Sequence, residues 1–144
     1  YRICPEGSKR AQARLLALEE AAAEVKQLTD SFGRTIMVPE SLMDVVGAVS
    51  GSSPAFVFLF IEALADGAVA EGMPRTQAYE LAAQAVLGSA RMVLETGMHP
   101  GKLKDMVCSP GGTTIQGVRT LEEKGFRAAA MDAVLACVEK SRKL

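Results

Sequence analysis

An all-α domain is what this sequence predicts, on three observations. Hydrophobic residues make up 49% of the 144, yet aromatics are only 5% and Trp is absent, so the core has to be built from Ala, Leu, Val and Met, side chains that suit closely packed helices. Roughly six stretches repeat apolar residues at three- and four-residue steps between glycine and proline stops. One short segment alone, Arg34–Val38, has strand composition. At this length one main domain is expected.

Taken in order, residues 1–19 mix Pro5, Gly7 and the basic cluster Lys9, Arg10 and Arg14 with a few leucines, and they carry no motif. From Leu18 to Phe32 the pattern is helical, with Val25, Leu28 and Phe32 set against Glu19, Glu20, Glu24, Lys26 and Asp30, and Gly33 follows as a stop. Arg34-Thr35-Ile36-Met37-Val38 then reads as a strand cut off by Pro39. A lone strand has unpaired edges, so this one should join a sheet that lies mostly outside the chain, or pair with another copy. Ser41 is placed to cap a short helix through Val49, which Ser50-Gly51-Ser52-Ser53-Pro54 interrupts. Pro54 suits the first turn of the next helix, which runs to about Glu71. That helix is apolar nearly all round from Phe56 through Ile61, which predicts the middle of a core or of a subunit interface. Ala63, Gly67 and Ala70 would let another helix approach closely. Gly72-Met73-Pro74 closes it, and a helix from Thr76 to Thr96 follows with Ala78, Leu81, Ala82, Ala85, Val86, Ala90 and Val93 as its apolar stripe. After Gly97 and the turn Met98-His99-Pro100-Gly101 come a short helix from Lys102 to Val107, a glycine loop, a helix to Lys124, Gly125, and a last helix from Phe126 to about Lys140.

Sixteen basic and 17 acidic side chains nearly cancel, which argues against a nucleic-acid or membrane surface as the main partner, since each needs a one-signed field. Cys4, Cys108 and Cys137 are too few and too scattered for a disulfide framework or a paired-ligand zinc site. No metal site is expected, and a reducing compartment, the cytoplasm, is the natural home. The longest apolar run, Ala55–Ile61, stops at Glu62, short of a bilayer span. A soluble protein without a membrane partner is therefore expected.

The loop Cys108-Ser109-Pro110-Gly111-Gly112-Thr113-Thr114 feeds a helix on which Ile115, Val118 and Leu121 share one side. The first turn of a helix leaves N–H groups without partners and carries partial positive charge, so a small anion can dock there. Gly111 and Gly112 can take φ > 0 and have no Cβ to hold a ligand away, while Thr113 or Thr114 can cap the helix or turn a hydroxyl toward the ligand. A tight turn with a capped helix, and no ligand, is the plain alternative. Elsewhere Glu62 and Asp66 are four apart on one helix face, and without a histidine at ligand spacing they read as facing water or a basic neighbour. Cys108 has no evident base, and the single histidine, His99, sits in a turn, so nucleophilic catalysis lacks its parts. The sequence contains neither G-x-G-x-x-G nor G-x-x-x-x-G-K-[ST], so hard chemistry would have to come from a cofactor held elsewhere.

Ala48-Val-Ser-Gly-Ser-Ser-Pro-Ala-Phe56, Glu62-Ala-Leu-Ala-Asp-Gly67, Gly72-Met-Pro74, His99-Pro-Gly with Leu103-Lys-Asp105, and Cys108-Ser-Pro-Gly-Gly-Thr-Thr114 together resemble the C-terminal part of pyrroline-5-carboxylate reductase, over roughly residues 24 to 144. That family makes L-proline from 1-pyrroline-5-carboxylate with NADPH or NADH. The resemblance implies residues 20–39 as the terminal helix and strand of a dinucleotide-binding Rossmann domain, 40–144 as a helical dimerisation and substrate-binding domain, and 1–19 as an unassigned leader. It implies a homodimer, with higher assembly such as a decamer. It also implies that Ser109, Gly111, Gly112, Thr113 and Thr114 bind the substrate, with Ser109 and the loop amides on the carboxylate. The Thr114 hydroxyl would be the catalytic group at the ring nitrogen. The cofactor-binding motif is not in this sequence, so the chain by itself is expected to reduce nothing. Two other readings share the architecture: a helical association module without catalysis, and a related imine or β-hydroxyacid reductase with another substrate.

Overall fold

A computed structural model describes residues 9–31 and 33–143, with side chains from Glu19 onward. Cys4, Pro5, Gly7, Phe32 and the side chains of Lys9, Arg10, Arg14 and Leu18 lie outside the described residues. The chain divides into two units, Tyr1–Pro39 and Glu40–Leu144.

In the first unit α1 runs Lys9–Asp30. It starts well before Leu18 because residues 9 to 31 hold no glycine or proline and are rich in Ala, Leu, Glu, Arg and Lys, the best helix formers. Propensity, which needs no apolar stripe, decides here. Arg34–Val38 forms no strand, against the sequence expectation. Its backbone finds no sheet among the described residues, and Ile36 and Met37 are 78% and 75% exposed. What fixes the end of α1 is polar. Asp30 accepts from the Lys26 ammonium one turn back, and its Oδ1 takes the Thr35 N–H at 2.9 Å.

The second unit is all helix and turn among the described residues. A 3₁₀ turn at Glu40–Leu42 leads into α2 (Met43–Val46), a π-helical stretch at Gly47–Ser52, and α3 (Ser53–Ala70). Ser41 is inside the 3₁₀ turn and α2 has no side-chain cap, so the capping role expected of it is not seen. Nor does Ser50–Pro54 interrupt the helix; it widens it. In an i→i+5 register the carbonyl of Val49 would look to residue 54, a proline with no N–H. The Ser53 hydroxyl donates to that carbonyl instead, and the Ser50 hydroxyl donates to the Val46 carbonyl at 2.7 Å. The result is one helical run, Glu40–Ala70, with mean hydropathy 1.6 and 6% of its apolar window buried. By length and composition alone it passes for a membrane span, so the limit expected from Ala55–Ile61 does not hold.

After Gly72, at φ 94°, α4 runs Arg75–Thr96 and ends on Gly97 in the left-handed region at φ 62°. α3 and α4 pack along each other as a hairpin. The helices α5 (Pro100–Val107), α6 (Thr113–Glu123) and α7 (Phe126–Ser141) follow. α7 lies on the π stretch and α2, tied there by Ser141 Oγ donating to Asp44 Oδ1 at 2.6 Å, and α6 packs on α7. The rings of Phe60 on α3 and Phe126 on α7 are 5.6 Å apart.

The buried apolar side chains of this unit are small: Ala48, Ala65, Ala78, Ala82 and Val138. In the hairpin Ala65 of α3 and Ala78 and Ala82 of α4 are buried, whereas Ala63, Gly67 and Ala70, expected at the close approach, stay exposed. Val86 and Val93 of the α4 stripe are half-buried, and Leu81 is 57% exposed. Phe58 and Leu59 of α3 are 68% and 66% exposed, an apolar patch of the kind that marks an interaction surface.

Two predictions follow from this packing. Ala65 is fully buried, so Ala65→Leu should overpack the hairpin and lower stability by about 1–3 kcal/mol in urea unfolding. The Lys26 and Thr35 partners pull Asp30 from its ordinary 3.8 to about 2. A carboxyl depressed on folding stabilises the turn above the ordinary value and ceases to do so as pH falls through the folded one. The Thr35 amide should therefore lose exchange protection between about pH 4 and pH 2, and Asp30→Asn should remove that pH dependence.

Candidate functional site

The site begins where α5 ends. His99 precedes α5, and its Nδ1 accepts the Gly101 N–H at 3.0 Å. The lone histidine is thus a helix cap, its acceptor nitrogen already engaged, and Pro100 fills the first helical position. Gly101 leaves room for the ring, since a Cβ there would lie 3.0 Å from His99 Nδ1. α5 delivers Cys108, a half-buried free thiol with no hydrogen-bonded base beside it.

Ser109 to Gly112 make a tight turn. Pro110 supplies its second residue, Gly111 its third at φ 70°, and the Gly112 N–H closes it on the Ser109 carbonyl at 3.0 Å. Proline followed by a positive-φ residue is the type II pattern, and the third position tolerates little but glycine. Gly112, extended at φ −74° and ψ 170°, is the residue before α6. A Cβ on it would sit 2.4 Å from Ser109 Oγ and 3.1 Å from the Ser109 carbonyl oxygen. The serine hydroxyl therefore occupies space that only glycine at 112 leaves open, and it lies beside the start of α6.

Because a glycine stands at the capping position, α6 has no side-chain cap. Thr113 and Thr114 are its first two residues, so neither takes the capping role the sequence allowed them. The N–H groups of Thr113, Thr114 and Ile115 have no partner among the described residues. Ser109, Gly111, Thr113 and Thr114 are exposed, while Gly112 and Ile115 are half-buried. One bend thus brings together Ser109, Gly111, Gly112, Thr113 and Thr114, with the backbone positive end of a helix and three hydroxyls facing outward. Ile115 and Val118 turn inward as expected, but Leu121 is 42% exposed.

Several side-chain charges on the helices that flank the bend are paired. Lys104 bonds Asp105 at 2.5 Å, which holds its ammonium above the ordinary value. Glu122 and Arg127 are 2.7 Å apart, which lowers the carboxyl, and Arg119 meets Glu123 at 2.7 Å. The unpaired amides at the start of α6 give the bend a partial positive charge of the kind that suits a carboxylate. Two open grooves lie on the hairpin, one around Phe58, Glu62 and Tyr79 and the other around Phe60, Val86 and Val93, and neither is lined by residues of the bend.

The carboxylates singled out in the sequence separate. Asp66 accepts from Arg75 Nη1 at 2.5 Å, and the guanidinium stands 5.6 Å over the Tyr79 ring, whereas Glu62 has no partner among the described residues. Arg75 and Tyr79 escaped the sequence reading. The available signal was Arg75 directly after Gly72-Met73-Pro74, a turn that carries the chain back toward Asp66. No cluster of three metal-ligating side chains occurs among the described residues.

The family model for pyrroline-5-carboxylate reductase dimerisation matches residues 40–144. Pyrroline-5-carboxylate reductase of Escherichia coli K12 is 62% identical over 129 residues, 90% of this chain and 48% of that protein. The Arabidopsis thaliana enzyme is 54% identical over 128 residues, 89% of this chain and 46% of its own. Among solved structures, 1-pyrroline-5-carboxylate reductase of Streptococcus pyogenes superposes with TM-score 0.77 at 40% identity, covering 96% of this chain and 49% of that one. The Plasmodium falciparum reductase with NADP bound gives TM-score 0.77 at 38% identity, covering 85% and 49%. The chain spans about half the length of the curated relatives it matches. On the family match over residues 40–144 and the identity of its relatives, the chain belongs to the pyrroline-5-carboxylate reductase family and carries its dimerisation domain.

Proposed function

We propose that this chain is the dimerisation and substrate-binding part of an enzyme that reduces 1-pyrroline-5-carboxylate to L-proline with NADPH or NADH. The observation that carries the reading is the set of unpartnered amides at Thr113, Thr114 and Ile115 behind a bend shaped by Pro110, Gly111 and Gly112. The substrate is a five-membered ring with one carboxylate and one C=N bond. Its carboxylate seats in the bend formed by Ser109, Gly111 and Gly112, on the free amides of Thr113 and Thr114, with the Ser109 hydroxyl donating beside them. That leaves the Thr114 hydroxyl to hydrogen-bond the ring nitrogen and hold it for protonation. Fixing both ends of so small a ring supplies the orientation that the reduction needs.

The residues present do not fit a dinucleotide, because neither glycine-rich phosphate motif occurs in the sequence. Hydride therefore belongs to a cofactor held by protein outside this sequence. In this reading residues 20–39 are the closing helix and strand of the cofactor domain, residues 40–144 the helical dimerisation and substrate domain, and residues 1–19 a leader without an assigned role. The absence of a strand at Arg34–Val38 fits a segment waiting for its sheet. The exposed Phe58 and Leu59 are covered by a second copy in a homodimer, and dimers stack further, as in a decamer. That burial would also make the Glu40–Ala70 run an interface helix of a soluble cytoplasmic protein rather than a membrane span. The same exposed face favours one other reading, a helical association module whose bend binds nothing.

Ligand binding separates the two. L-proline titrated into the chain should shift the amide resonances of Thr113, Thr114 and Ile115. Thr114→Ala should weaken binding about five- to tenfold, the worth of one hydrogen bond, and Gly112→Val, which displaces the Ser109 hydroxyl, should abolish it. Unchanged binding in both variants, or none in the native chain, would favour the association module.

A further inference from the structure

Glu62 is the one carboxylate in the hairpin groove walled by Ala55, Phe58, Leu59, Ile61 and Tyr79. Phe58 and Leu59 are two-thirds exposed, and on the homodimer reading above, on which this inference rests, a second copy covers them and the carboxylate with them. A carboxylate taken out of water without a cation is strongly unfavourable. Glu62 has none among the described residues.

A two-fold interface puts the same patch on both sides, so a charge near the axis has to be answered from within that patch. The cation on this part of the hairpin is Arg75. Its Nη1 serves Asp66 at 2.5 Å and Tyr79 Oη at 3.4 Å, while Nε and Nη2 have no partner among the described residues. Three other cations of this unit form no ion pair among the described residues, Lys102 on α5, Lys124 after α6 and Lys140 on α7, and none of them is on the hairpin. A planar guanidinium can donate to a carboxylate on each of two edges. We propose that Glu62 of each copy pairs across the dimer axis with the free edge of the partner subunit's Arg75. Asp66 then serves to hold Arg75 in place for that contact.

The symmetry supplies the test. In the full chain, Glu62→Arg alone and Arg75→Glu alone should each place two like-charge pairs in the homodimer and raise its dissociation constant tenfold or more in sedimentation equilibrium. Mixed one to one, differently labelled, the two variants should dimerise at least tenfold more tightly than either alone, because each proposed pair across the axis then joins opposite charges. Failure to gain on mixing, or single variants that dimerise like the native chain, would overturn the pairing. If circular dichroism shows that either charge reversal does not fold, the cycle of Glu62→Gln, Arg75→Gln and both together decides. A double variant no weaker than the worse single supports the contact, and additive losses refute it. A native chain that sediments only as a monomer removes the homodimer and the pairing together, whereas a native dimer without charge-swap rescue removes the pairing alone.

Discussion

The packing of α3 on α4 governs the helical unit, and the side chains buried on the two helices are alanines, Ala65 on one and Ala78 and Ala82 on the other. Side chains this small let two helices lie close, and closeness decides what is left over. With methyl groups in the seam, Phe58, Leu59 and Leu81 have no place between α3 and α4 and stand on outer faces. Val138 is the largest buried apolar side chain named among the described residues. A chain with 49% hydrophobic residues that keeps so little of that surface inside has its main apolar contact still to make, and a dimerisation family is where such a chain belongs.

The bend before α6 follows a different logic. It takes its shape from three consecutive residues and from one hydrogen bond across them, with little help from the hairpin. Glycine at 112 does two things at once. It makes room for the Ser109 hydroxyl, and by lacking a side chain it leaves the first turn of α6 uncapped. A serine or aspartate there would stabilise the helix by only about a few tenths of a kcal/mol over glycine, while filling the space the Ser109 hydroxyl occupies and consuming an amide.

Most helix limits were legible because they are written in glycine and proline. Gly72, Gly97 and Gly125 each take positive φ and stand between helices, and the boundaries of α4 through α7 fall within a few residues of where those signals place them. Three features were not legible, each for a physical reason. Ser50-Gly51-Ser52-Ser53-Pro54 reads as a break because the rule for proline assumes an α register, whereas the chain widens its turns and uses serine hydroxyls to satisfy carbonyls. Arg34–Val38 has strand composition, but a strand is a property of a pair, and the described residues offer no second member. At the bend, the residues and their order were readable, yet the identity of the capping position was not. Whether helix geometry begins at Thr113 or one residue later depends on backbone angles that composition does not state.

Because the bend is built from its own short sequence, it is portable. Any two helices that end and begin about four residues apart could carry Cys-Ser-Pro-Gly-Gly-Thr-Thr with the same backbone course. Aliphatic side chains along the outer faces of α3 and α4 can therefore be exchanged without touching the little turn between α5 and α6, like a handle changed on the same tool.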